Sequence, residues 1–167
     1  MRILLDTNVL VRAVQHSHPA CRMAVHAVKT LHGQQHVLCV APQNVAEFWN
    51  VCTRPAVVNG LGLSVTATDR YASRLERMFL VLPDSMETFH EWRRLVVQHN
   101  VIGAKVHDTR LVATMKVHGL DRILTFNMQD FVVTKGLRPF IPRPFAERNG
   151  QDTPEENDSV CRTSVHL

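Results

Sequence analysis

Asp6, Glu47 and Asp108 are the residues whose types and placing point most directly to chemistry. Asp6 ends a short apolar run, Arg2-Ile3-Leu4-Leu5, that reads as a buried strand. Glu47 sits among Val45, Ala46, Phe48 and Trp49, with no basic residue at i±3 or i±4 to pair with it. A carboxylate in such apolar company is costly unless something neutralises it. Asp108 falls near the start of a helix expected over Val106–His118. Each has a plainer reading: Asp6 as a helix cap, Asp108 as a partner of the helix dipole, Glu47 as part of a solvated face. Several carboxylates in one cleft repel one another, and a divalent cation between them relieves the repulsion. Hard oxygen ligands suit Mg²⁺ or Mn²⁺, and such a metal polarises phosphoryl oxygens and activates water. The chemistry implied is hydrolysis of a phosphodiester without a serine or cysteine nucleophile.

The elements that must position these residues alternate. Strands are expected at 2–5, 37–40, 79–82 and 122–126. Helices are expected after Pro19 up to Gly33, from Pro42 to Cys52, from Thr66 to Met78, from Ser85 to His99, and over Val106–His118. Asn59-Gly60-Leu61-Gly62-Leu63 reads as a loop, and 127–131 as a turn or short helix. Short apolar strands between helices indicate an α/β fold with a mostly parallel sheet. In such sheets the active site lies beyond the C-terminal strand ends. Asp6 lies there, as do Asn127 and Asp130 after the 122–126 strand, and Glu47 and Asp108 can converge on the same edge.

Four segments carry a family resemblance: Leu4-Leu5-Asp6-Thr7-Asn8-Val9-Leu10, Asn44-Val45-Ala46-Glu47-Phe48-Trp49-Asn50-Val51, His107-Asp108-Thr109-Arg110-Leu111-Val112-Ala113, and Ile123-Leu124-Thr125-Phe126-Asn127-Met128-Gln129-Asp130-Phe131. In this order and spacing the chain resembles the PIN-domain nucleases, and among them the VapC-type toxins of bacterial toxin–antitoxin pairs. The resemblance implies a three-layer sandwich with a central, mostly parallel sheet flanked by helices. It implies an Mg²⁺-dependent endoribonuclease, with Mn²⁺ as a substitute, acting on RNA as the toxin of a toxin–antitoxin pair. Asp6, Glu47 and Asp108 match the family's first three acidic residues, and Thr125 matches a hydroxyl near the site. Where many members have a fourth acidic residue, this chain has Asn127. The fourth ligand is then Asn127 as a neutral group or Asp130 as the charge, and a second metal site stays open. A homodimer and a small cognate antitoxin that blocks the site are also implied.

Two other readings compete. Asp6-Thr7-Asn8 resembles the start of phosphatases that use a nucleophilic Asp, but Asn8 stands where their second Asp belongs, and Glu47 is left unexplained. Alternatively, the Asn127 departure fits a catalytically impaired PIN-fold protein that binds RNA or serves as a scaffold.

The chain has 167 residues, with 45% hydrophobic and 20% charged, which suits a globular domain. A nuclease domain is expected over 1–142, followed by a polar, disordered tail over 143–167. The net charge of +4 suits a polyanionic partner. Arg12, Arg54, Lys105 and Arg110 are candidates for phosphate contacts, although a solvated surface charge is the plainer reading of each, and His107 is a candidate either for substrate contact or for simple packing. Cys21, Cys39, Cys52 and Cys161 show no zinc or redox spacing and read as reduced thiols. No signal peptide or membrane span is apparent, and a cytoplasmic protein is expected.

Overall fold

Successive residues of the strands turn to opposite sides of the sheet, and both sides are apolar. In β1 (Arg2–Leu5), Ile3 and Leu5 join one core cluster and Leu4 the other. β2 (Val37–Val40) repeats this with Leu38 and Val40 against Cys39, and β4 (Arg122–Leu124) with Leu124 against Ile123. Burial on both faces is why these strands read as continuous apolar runs rather than as polar–apolar alternation.

The computed structural model describes residues 1–131, with Met128 and Asp130 by backbone alone, and the backbone of 138–140. Five parallel strands lie in the order β3-β2-β1-β4-β5, with β3 at Leu80–Val81 and β5 at Arg138–Phe140. Leu4 pairs with Cys39 on one side and Ile123 on the other, which centres β1 in the sheet. Helices α1 (Thr7–Val14), α2 (Cys21–Gly33), α3 (Pro42–Thr53) and α4 (Val65–Met78) cover one face, where Leu10, Leu31, Phe48 and Leu75 are buried. Helices α5 (Met86–Gln98) and α6 (Lys105–Val117) cover the other with Leu95, Leu111, Val112 and Met115. The expected three-layer α/β arrangement with a central parallel sheet is what the chain forms.

Most elements lie within a residue or two of expectation. Ser85 caps α5 through its hydroxyl, which accepts from the Thr88 N–H at 3.2 Å. The strand expected over 79–82 is reduced to Leu80–Val81, and that over 122–126 ends at Leu124. The second shortening has a local cause: the Asn127 N–H donates to the Thr125 hydroxyl at 2.9 Å, turning the chain out of the sheet. β5 had no expectation. Its Pro139 lacks an N–H, which only an edge strand tolerates, and β5 is at the edge. A 3₁₀ turn at Ala56–Val58 was likewise not expected. Cys21, Cys39 and Cys52 are buried, and burial pushes the Cys52 thiol up to about 11, as befits inert core thiols. The boundary at 142, the tail over 143–167, Cys161 and the side chain of Asp130 lie outside the described residues.

Candidate active site

Strand order reverses at β1: the chain proceeds to β2 on one side and later to β4 on the other. The C-terminal ends of β1 and β4 therefore flank the switch point, the place at which open α/β sheets form their ligand crevice. Asp6 follows β1 directly and Thr125 follows β4 directly. The Asp6 N–H donates to the Leu124 carbonyl at 2.9 Å, which ties the two strand ends together.

Asp6 occupies the N-cap position of α1, yet its side chain forms no cap hydrogen bond. Instead its Oδ2 accepts from the Thr125 hydroxyl at 2.6 Å. That hydroxyl is fully buried, and it also accepts from the Asn8 side-chain amide at 3.2 Å. Asn8 Oδ1 in turn accepts from the Phe126 N–H at 3.2 Å. The Asp-Thr-Asn turn after β1 and the Thr-Phe-Asn turn after β4 are thus laced by side chains. Burial raises the Asp6 carboxyl from 3.8 to about 6; the Thr125 hydroxyl and the backbone N–H groups of Asn8 and Thr7 oppose this, and the nearby Glu47 charge adds to it.

Glu47 is held on both oxygens. Thr7 Oγ1 donates to Oε2 at 2.6 Å, and Gln43 Nε2 donates to Oε1 at 2.7 Å. Asn44, fully buried, donates to the Thr7 hydroxyl at 3.1 Å, while its own Oδ1 accepts from the Ala41 N–H at 2.8 Å and fixes the start of α3. Gln43 Nε2 also reaches the His107 carbonyl at 2.9 Å, so α3 is tied to the first turn of α6, where Asp108 stands.

Asp6 with Thr125, and Glu47 with Thr7 and Gln43, therefore form two hydrogen-bonded groups that adjoin at Asp6-Thr7, and Asp108 follows the residue at their edge. Among the described residues no three His, Cys, Asp or Glu side chains gather tightly enough to hold a metal ion. Asn127 is exposed; its N–H serves Thr125 and its Oδ1 accepts from the Gln129 N–H at 3.3 Å. Arg110 pairs with Asp84 at 2.8 Å, Arg54 donates to the Asn59 carbonyl at 3.3 Å, and Arg12 donates to the Gln15 side chain. Lys105 and His107 are exposed.

Thr7, Asn8, Gln43 and Asn44 join the site although their sequence context did not single them out. One signal was present: Gln43 and Glu47 stand at i, i+4, the spacing at which an amide can steady a carboxylate. Thr7 and Asn44 carry no comparable mark, because they meet across 37 residues of chain.

No curated protein matches the chain by sequence. Solved structures match its fold at low identity. A VapBC complex from Rickettsia felis bound to promoter DNA aligns with a TM-score of 0.62 at 14% identity, covering 84% of this chain and 98% of that one. A VapBC complex from nontypeable Haemophilus influenzae gives 0.61 at 13%, over 84% and 98%. A VapC toxin from Mycobacterium tuberculosis, described as cleaving the sarcin-ricin loop, gives 0.58 at 17%, over 77% and 92%. The PIN domain model matches residues 3–135, most of the chain and every element that builds the crevice, so the chain belongs to the PIN domain family.

Proposed function

We propose that this protein is a divalent-metal-dependent endoribonuclease, the toxin of a toxin–antitoxin pair, whose site is built on Asp6, Glu47 and Asp108. The observation that carries the reading is the buried Asp6 carboxylate at the strand crossover, gripped by Thr125 and close enough to Glu47 for their charges to repel. Two acids kept this close favour a cation. Gln43 adds a second sign: its Oε1 is buried beside Glu47 without a hydrogen-bond donor, and a cation-bound water would supply one. The donor set is all oxygen, as Mg²⁺ and Mn²⁺ prefer. Asp6 and Glu47 would hold the ion first; Asp108, on the α6 turn that Gln43 anchors, and Asp130 or Asn127 would have to close on it to complete the set. The ion, when bound, polarises a phosphoryl oxygen and lowers the pKa of water. Thr125 fixes the Asp6 carboxylate, and Thr7 and Gln43 fix Glu47, so both present oxygens in a set orientation.

The toxin assignment leans on the VapBC and VapC neighbours and implies a cognate antitoxin and a homodimer as partners. Among the described residues no helix is long and apolar enough to cross a membrane. The nuclease unit is taken to span 1–142. The deciding experiment is cleavage of labelled RNA by the purified chain. Cutting in Mg²⁺ or Mn²⁺ that stops in EDTA and in Asp6→Asn is expected. Cutting that persists in EDTA, or survives Asp108→Asn unchanged, overturns the reading. Binding of RNA without any cutting by the wild type would favour the impaired, scaffold-like alternative that Asn127 raises.

A further inference from the structure

An open cleft of about 410 Å³ lies between α5 and the first turn of α6. Its walls are of two kinds. Phe89 and Trp92 supply aromatic faces, their ring centroids 5.9 Å apart and their planes tilted by 43°. His107 and Arg110, three residues apart on α6, supply N–H donors. Phe89 is 45% exposed on a helix whose inward side is already filled by Thr88 and Leu95. The Trp92 ring is held in place, because its Nε1–H donates to the Val106 carbonyl at 2.9 Å.

This cleft joins the carboxylate network through three consecutive residues. Val106 accepts from Trp92, His107 accepts from the Gln43 amide that also holds Glu47, and Asp108 follows. A ligand seated on the aromatic rings therefore lies next to the turn that presents Asp108.

We propose that the cleft is a base-stacking subsite for single-stranded RNA. An unpaired base beside the cut stacks on Phe89 and Trp92, and Arg110 and His107 donate to neighbouring phosphate oxygens. The ligand class rests on the ribonuclease reading. Arg110 is available for this, since its pair with Asp84 is about 40% exposed on each side and such surface pairs contribute little. Stacking reads a face common to all bases, so the subsite selects unpaired RNA over duplex rather than one sequence. The Arg110 guanidinium, whose pair with Asp84 is exposed and exchangeable, favours a phosphate-bearing occupant over a protein.

The test is binding of hexaadenylate and hexauridylate to the full chain in EDTA. A Trp49→Phe background leaves Trp92 as the reporting indole, since the chain has two tryptophans. Quenching of Trp92 fluorescence is expected. Phe89→Ala should weaken binding about tenfold, the change that loss of about 1.4 kcal/mol of stacking gives. Phe89→Tyr should restore it and Phe89→Leu should not. Equal affinity of Phe89→Ala and the parent, or Leu performing as well as Phe, overturns the subsite. So does a change of oligomeric state in Phe89→Ala with RNA affinity unchanged, which would make the cleft a protein interface. RNA cleavage in Mg²⁺ with unaltered Phe89→Ala binding removes the subsite and keeps the nuclease. Binding through Phe89 with no cleavage in Mg²⁺ or Mn²⁺ keeps the subsite and removes the nuclease.

Discussion

Asp6 is poised by two opposed influences: burial and Glu47 push its carboxyl up, while Thr125 and the adjacent backbone N–H groups hold it down. Burial wins, and the folded-state value of about 6 exceeds the ordinary 3.8. For an acid whose value rises on folding, the associated stability is fully present below the unfolded value and is lost as pH climbs through the folded one. Without metal, the protein should therefore lose stability between about pH 4 and pH 6 from this group, by at most roughly 3 kcal/mol. Asp6→Asn, which still accepts from Thr125, should flatten that part of the profile and be more stable than the wild type at pH 7.5. Thermal melts in EDTA across this range check it; a wild-type profile as flat as the Asn variant's would contradict the burial account. The place of Asp6 at the end of β1 was legible from the apolar run before it. Its grip by Thr125 was not, because the two residues are 119 positions apart and meet only when β1 and β4 pair.

At the scale of elements, α3 and α6 are the pieces that must not drift. Gln43 spans them with one amide, donating to Glu47 and to the His107 carbonyl. Gln43→Leu should lower RNA cleavage roughly 10–100-fold, as loss of a group that orients a ligand commonly does, while leaving the fold intact. Single-turnover rates with circular dichroism distinguish this from unfolding, and an unchanged rate would reduce Gln43 to a packing residue. The loop after α3 has a different constraint. A Cβ on Gly60 would lie 1.8 Å from the Arg54 carbonyl oxygen, backbone that cannot swing aside. Gly60→Ala should cost about 1–3 kcal/mol, read from the denaturant midpoint. Helix boundaries here were largely visible beforehand: Pro42 and Ser85 mark starts by local chemistry, whereas α4 begins at Val65 behind a Ser64 cap, a residue before the expected Thr66. β5 was not, because a three-residue strand containing proline carries no periodic signal and exists only by pairing with β4.

For the molecule as a whole, the five-stranded parallel sheet acts as a rigid base whose crossover at β1 gathers residues from four segments. A cation bound only by the folded state stabilises it by mass action. At a hundredfold excess over Kd the gain is about 2.7 kcal/mol. For a domain of this size, millimolar Mn²⁺ should raise the melting temperature by roughly 5–10 °C. Asp6→Asn should show little of that rise. A wild-type melt indifferent to Mn²⁺ would mean that no folded-state cation site is present.

The sequence by itself determined the class of fold, the positions of most helices and where along those elements the three carboxylates stand, since these follow from periodicity, caps and apolar context within about ten residues. Tertiary structure alone decided how those acids are held. Thr125 on Asp6, Thr7 and Gln43 on Glu47, and the bridge from α3 to α6 are contacts across tens of residues that strand pairing creates. It also turned three separate acids into an unequal set. Asp6 and Glu47 feel each other directly, while Asp108 is placed through the α6 turn that Gln43 anchors. Distance in space sets electrostatic coupling, and distance along the chain does not reveal it.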